Sequence, residues 1–197
     1  IPTPGFAQKF PLFVKPSGED CSFGITQSSV VQDETELKKK IAELIELYHE
    51  EVLVEEYIEG RELNVSIMGK NKDLFVLPVS EIIFGSKFPG KYHIVDFESK
   101  WNQSSDFYIE SKGICPAVLE PEVQKVIEKI AKKTFEVTWC RHFARVDMRL
   151  DKDGLPWVLE VNANPGIGKN DGFIRSARAA GYNYESFIDF LVKLAVE

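Results

Sequence analysis

Three residues toward the C-terminal end carry oxygen donors at a spacing that suits a metal ion: Asp147, Glu160 and Asn162. Glu160 and Asn162 stand two apart in a stretch that reads as a strand. Alternate strand residues point to one face, so these two side chains share a side. Asp147 lies on the preceding apolar stretch, and Asp151-Lys152-Asp153-Gly154-Leu155 joins the two. The Asp-Gly step is a strong hairpin signal, and an antiparallel hairpin brings Asp147 beside the other two. Two carboxylates and an amide oxygen form a hard donor set. Magnesium suits it, because that ion takes one or two carboxylates and leaves its other positions to water and phosphate. A solvated polar face on an ordinary hairpin is the competing reading, and the residues alone leave both open. Arg145 shares the face of Asp147. It is either a salt-bridge partner or a cation placed to spread charge during phosphoryl transfer.

The elements that must position these residues follow from periodicity and breakers. Phe10-Pro11-Leu12-Phe13-Val14-Lys15 predicts a buried strand, and residues 16–24, with two glycines and two serines, a loop. Asp33 is placed to cap a helix over about 34–50, with Leu37, Ile41, Leu44, Ile45 and Tyr48 on one face. Residues 52–58 predict a strand. Residues 61–69 predict a half-buried one, with Glu62, Asn64 and Ser66 opposite Leu63, Val65 and Ile67. A further strand is expected over 73–84 and a long, partly ordered loop over 85–118. Pro121 opens a helix over 120–139 with Val123, Ile127, Ile130, Ala131 and Phe135 as its apolar stripe. Strands over 142–150 and 156–162 form the hairpin, and two helices, about 172–180 and 183–195, end the chain. Strands with several antiparallel neighbours and separate helices predict an α+β fold.

The formal net charge of -7, without a Lys/Arg-rich run, argues against nucleic-acid binding, which needs clustered cations. Cys21, Cys115 and Cys140 form no CxxC pair and read as reduced thiols of a cytoplasmic protein. No apolar run approaches the ~20 residues of a membrane span, and no signal peptide is apparent. The start at Ile1-Pro2-Thr3-Pro4-Gly5, without Met, suggests a processed or truncated chain. His49, His93 and His142 are scattered and read as surface or packing residues.

Four strings carry a resemblance: Phe13-Val14-Lys15-Pro16, Val52-Leu53-Val54-Glu55-Glu56-Tyr57, Ala144-Arg145-Val146-Asp147 and Leu159-Glu160-Val161-Asn162-Ala163-Asn164-Pro165-Gly166. In this order and spacing, from about Phe10 to Leu191, they resemble the ATP-grasp ligases, and most of all the D-alanine–D-alanine ligases. The resemblance implies two α+β lobes with antiparallel sheets and a nucleotide between them. It assigns 1–60 to a partial central lobe with the glycine-rich loop and 61–197 to the C-terminal lobe, with Glu59-Gly60 as the junction. The family's N-terminal substrate domain is expected to be absent. ATP and two magnesium ions are the implied cofactors, with manganese as an alternative ion. The implied partners are amino acids or a short peptide, with no nucleic acid and no membrane; a homodimer stays open for a full-length protein. The resemblance gives Lys15 to the phosphates and the loop 17–24 to closure over them. It gives Glu55, Glu56, Tyr57, Ile58 and Leu159 to the adenine side and Glu62 to the ribose. Lys100 becomes a second phosphate-facing lysine on a mobile loop. Asp147, Glu160 and Asn162 become the metal ligands, with Glu160 bridging. Arg145 stabilises the reacting phosphoryl group, Gly166 brings backbone close to substrate, and Cys21 and Ser22 line the reaction centre. The implied reaction activates one carboxylate as an acylphosphate, which the amine of a second substrate attacks.

Three departures shape that expectation. Cys21 and Trp101 stand where such ligases usually have a serine and a tyrosine in contact. Asp171 stands near the serine that grips the second substrate's carboxylate. Arg149 occupies a usually apolar position and is expected to reach phosphate or pair with an acid. The alternatives are a related ligase joining other amino acids or peptides, and a non-catalytic nucleotide-binding module.

Overall fold

A computed structural model describes residues 9–70 and 73–196, so the Ile1–Gly5 start lies outside the described residues. The chain divides into two units: residues up to Ile58 with Phe84–Ser111, and Glu59–Ile83 with residues from Lys112 onward. The chain passes between them at Ile58–Glu59, Ile83–Phe84 and Ser111–Lys112. Residues 84–111, which the sequence division put with the later lobe, belong to the first unit.

In the first unit, β1 (Leu12–Pro16) lies between β2 (Val30–Val31) and β3 (Val52–Glu56), antiparallel to both. Leu12 and Val14 point to one face and meet Val31 there, with Leu37 and Leu44 of α1 (Glu34–Tyr48). Lys15 points to the other face. Asp33 starts α1 because its Oδ1 accepts from the N–H of Thr35 at 2.8 Å and of Glu36 at 3.0 Å. The segment expected as a loop holds two short helices, α2 (Phe97–Trp101) and α3 (Asp106–Glu110). Five residues give too little repeat for an apolar stripe, so side-chain caps define them. Asp96 accepts from Ser99 N–H at 2.9 Å, and Ser105 from Tyr108 N–H at 3.2 Å.

The second unit is a six-stranded sheet. Its path runs β7 (Ser111–Ile114), β6 (Ser80–Phe84), β4 (Gly60–Gly69), β8 (His142–Asp151), β9 (Pro156–Asn162), with β5 (Phe75–Val76) also on β4. The single strand expected over 73–84 is broken at Leu77-Pro78-Val79, where Pro78 has no N–H to give a ladder. Leu63, Val65 and Ile67 of β4 and Ala144, Val146 and Met148 of β8 face one side. There they bury Ile127, Ala131 and Phe135 of α4 (Pro121–Val137). Each of these side chains larger than alanine contributes about 1.5–3 kcal/mol on burial. At one end of the opposite face, Met68 packs with Phe173, Ile174 and Ala177 of α5 (Gly172–Ala179) and Phe187 of α6 (Tyr184–Val196). The rest of that face is polar. β4 is therefore buried on both faces rather than half-buried, with Asn64 at 9% and Ser66 at 0% exposure. Among the described residues, no helix is long and apolar enough to cross a membrane.

Candidate functional site

The polar face of the second unit is a grid set by strand register. On β4 and β8, Glu62 lies opposite Arg149, Asn64 opposite Asp147 and Ser66 opposite Arg145. Across the hairpin, Asp147 lies opposite Glu160 and Arg145 opposite Asn162. The hairpin turn forms because Asp151 Oδ1 accepts from the N–H of Asp153 at 2.9 Å and of Leu155 at 2.8 Å, while Gly154 takes φ +78°. An irregularity after Asp147 makes Met148 pair with Val158, which leaves Leu159 without a direct partner on β8. Such a bulge re-aims neighbouring side chains.

Asp147, 7% exposed, is the hub. Its Oδ1 accepts from Arg145 Nε at 2.7 Å and Asn64 Nδ2 at 2.8 Å. Its Oδ2 accepts from Arg145 Nη2 at 2.7 Å and Asn162 Nδ2 at 3.2 Å. Asn162 Nδ2 also reaches Glu160 Oε1 at 3.0 Å. The three donors singled out in the sequence therefore converge, with Arg145 clamped to them. Burial works against the Arg145 charge, but Asp147, helped by Glu160 and Glu62, outweighs it and raises the pKa, so the guanidinium stays charged. Among the described residues no three His, Cys, Asp or Glu side chains form a metal cluster. The set is two carboxylates and an amide, which fits a hard cation that completes its shell with ligand oxygens. Asn162 here presents N–H to the carboxylates; the oxygen of the same amide is the atom a cation would take.

Periodicity placed Asn64 opposite Leu63 and Val65 but gave it no role in the site. Its signal was the two-residue spacing from Glu62, visible only once β4 is known to pair with β8. Arg149, 3% exposed, makes an ion pair with Glu62, Nη1 to Oε2 at 3.1 Å. Of the two expectations for Arg149, pairing with an acid is the observed one. Beyond Asn162 the chain turns through Gly166. Asp171 Oδ2 accepts from Gly168 N–H at 2.7 Å, and a Cβ at Gly166 would lie 2.6 Å from that same oxygen. The Asp171 carboxylate thus braces this turn.

In the first unit, Lys15 Nζ pairs with Glu55 Oε2 at 2.7 Å. Glu56 ends β3, and Tyr57 follows it with its N–H on Pro11 O at 3.1 Å and its ring edge-on to Tyr92 at 5.5 Å. Ile58 closes the segment. Cys21 and Ser22 both adopt left-handed backbone, φ +53° and +64°, which costs of order 1–3 kcal/mol each in non-glycine residues. Contacts with the 92–101 segment hold them there. Ser22 Oγ donates to Val95 O at 2.9 Å, Trp101 Nε1 donates to Cys21 O at 2.9 Å, and Phe23 packs edge-on to Phe97. The two departures Cys21 and Trp101 therefore meet through an indole N–H and a backbone carbonyl. Lys100 sits beside them on α2, without an ion-pair partner among the described residues. His93 stacks on Phe84 at 5.0 Å, and His49 ends α1.

The D-ala D-ala ligase C-terminus family matches residues 6–193. The chain belongs to this family. It is similar to the uncharacterized protein y4sG of Sinorhizobium fredii, 32% identical over 206 residues, 99% of this chain and 58% of that one. It is also 32% identical over 185 residues to a D-alanine–D-alanine ligase of Cupriavidus necator, 94% of this chain and 52% of that one. Among solved structures, D-alanine–D-alanine ligase from Bacillus anthracis complexed with ATP superposes with a TM-score of 0.71 at 28% identity, covering 95% of this chain and 53% of that one. VanG D-Ala:D-Ser ligase from Enterococcus faecalis gives 0.73 at 27%, covering 95% and 50%. This family member is α+β with antiparallel sheets, as its motifs implied, and spans about half the length of the curated relatives it matches.

Proposed function

We propose that this chain is the nucleotide- and metal-handling part of an ATP-dependent ligase that joins two amino acids, D-alanine to D-alanine for peptidoglycan precursors, in the cytoplasm. The single observation that supports this most is the convergence of Asp147, Glu160 and Asn162 around an Arg145 held in place by two hydrogen bonds. A free carboxylate and an amine do not condense in water without activation. In the proposed reaction, a carboxylate oxygen of the first amino acid bonds to the γ-phosphorus of ATP and the bond to the β-phosphate oxygen breaks, releasing ADP. The free amine of the second amino acid attacks the acyl carbon of the acylphosphate. The carbon–oxygen bond to phosphate breaks, phosphate leaves, and the nitrogen gives up a proton.

Arg145 commits Nε and Nη2 to Asp147 and makes no other hydrogen bond among the described residues, so Nη1 is available to the transferring group. Lys15 contributes a point charge to the phosphates. Its pair with Glu55 is partly exposed, and such pairs contribute about 0–1 kcal/mol, so trading the carboxylate for phosphate costs little. Lys100 adds a second cation, Glu62 receives the ribose hydroxyls, and Glu55–Ile58 with Leu159 receive the adenine. Gly166 lets substrate approach the backbone, and Cys21 and Ser22 line the first-substrate end. Asp147, Glu160 and Asn162 would hold magnesium or manganese, which neutralises triphosphate charge and polarises the γ-phosphoryl group.

One observation favours a related ligase with a different acceptor. The Asp171 carboxylate lies across the Gly166–Gly168 turn, and a carboxylate there repels an incoming one. The test is phosphate release from ATP by the full-length protein with a panel of amino acids. D-Alanine-dependent turnover is the expected result. Turnover on another pair alone selects the related ligase. ATP binding without amino-acid-dependent hydrolysis selects a non-catalytic module.

A further inference from the structure

Arg175, on the first turns of α5, has no place in the chemistry above, yet it is built into the same unit with unusual care. Its Nε donates to Ser80 Oγ at 2.8 Å, and Ser80, fully buried, in turn donates to Ile114 O at 2.9 Å. A Cβ at Gly113 would overlap the guanidinium, so glycine there makes the space for it. The guanidinium has no carboxylate partner among the described residues. Asp171, one helical turn before it, turns its carboxylate to Gly168 N–H instead. Burial depresses the Arg175 pKa; the Cys115 thiol acts in the opposite sense, and the like charge of Arg145 lowers it further. A half-buried guanidinium with no carboxylate partner is unfavourable unless an anion joins it.

The position of that anion follows from Gly172. One point, where a Cβ of Gly172 would stand, is 3.2 Å from Arg175 Nη2 and 3.7 Å from Asn64 Oδ1. Asn64 donates to Asp147, so the free edge of Arg175 borders the Asp147 cluster. With Nε committed to Ser80, Nη1 and Nη2 form a two-pronged donor for a planar anion.

We propose that Arg175 anchors the carboxylate of the amino-acid acceptor. This rests on the ligase reading and deepens it: the acceptor is a compound with a free carboxylate, held by a guanidinium on α5 despite the acid at 171. The test uses the full-length protein, R175M and R175K, with D-alanine and D-alaninamide as acceptors, read by phosphate release. Truncating one partner of a buried charge pair costs about 2–5 kcal/mol, so R175M should lose about 30-fold or more in kcat/KM for the acid acceptor. That loss should appear in KM, with the acid-over-amide preference abolished and KM for ATP unchanged. R175K should restore part of the preference. An unchanged acid-over-amide preference in R175M overturns the proposal, as does a rise in KM for ATP alone, which would make the anion a phosphate. If no amino acid supports turnover, the ligase reading fails separately. The Arg175 Nε–H NMR signal, assigned by its loss in R175M, then decides the anchor. A shift on titration with D-alanine but not with D-alaninamide supports it; no shift, or one only with inorganic phosphate, overturns it.

Discussion

Asp147→Asn separates two roles that Asp147 combines. The carboxylate accepts four N–H groups, two on each oxygen, from Arg145, Asn64 and Asn162. An asparagine keeps one acceptor oxygen, so only two of the four bonds survive, and its NH2 faces two donors. A hydrogen bond to a charged group contributes about 1.5–3 kcal/mol, so losing two costs about 3–6 kcal/mol. Removing one partner of a buried ion pair gives about 3–5 kcal/mol by a separate route, and Arg145 is the ion left behind. For a chain of this length each kcal/mol moves Tm by about 2–4 °C, so D147N should melt roughly 6–20 °C lower without any ligand. Glu160→Gln is the control. Glu160 is exposed and, among the described residues, accepts only from Asn162, so E160Q should stay within about 0.5 kcal/mol of the parent. Both variants should lose metal-dependent nucleotide binding. Thermal melts by tryptophan fluorescence and circular dichroism, with urea midpoints, measure the difference. A D147N protein within about 1 kcal/mol of the parent would falsify the view that Asp147 is the structural hub. So would an E160Q protein as unstable as D147N.

Trp101→Phe removes the indole N–H that holds Cys21 O. Loss of one hydrogen bond, about 0.5–1.5 kcal/mol, should raise limited-proteolysis cleavage within residues 17–24 by about 3- to 10-fold. An unchanged rate means the Ser22 and Phe23 contacts hold the loop alone. Asp151 has its pKa lowered, first by the Trp157 indole N–H and then by Leu155 N–H, so it is more acidic folded than unfolded. Its contribution to stability is therefore complete above the ordinary carboxylate value of 3.8 and is lost as pH falls through the lower folded value. Asp151→Asn should flatten the acid limb of the stability–pH curve, and an unchanged limb in urea titrations from pH 5 to about pH 2 would refute this assignment.

What local chemistry controls was legible in the residues alone. Asp33 could cap α1, Asp-Gly could turn β8 into β9, and the stripe on α4 could bury one face, because each signal lies within a few residues of its effect. The two-residue spacing of Glu160 and Asn162 fixed their common face for the same reason. Residue identity also carried the family, since its motifs are short strings. Tertiary structure decided whatever depends on which strand lies beside which. The pairing of β4 with β8 made Asn64 a partner of Asp147 and Glu62 a partner of Arg149, across more than 80 positions of sequence. The same pairing buried β4 on both faces, where alternation alone predicted one wet side. Residues 84–111 joined the first unit through contacts such as Trp101 to Cys21, which no periodicity encodes. Arg175 shows the limit most clearly: in sequence it is an arginine on a helix like any other, and its lack of a carboxylate partner among the described residues exists only once Ser80 and Gly113 have been folded against it.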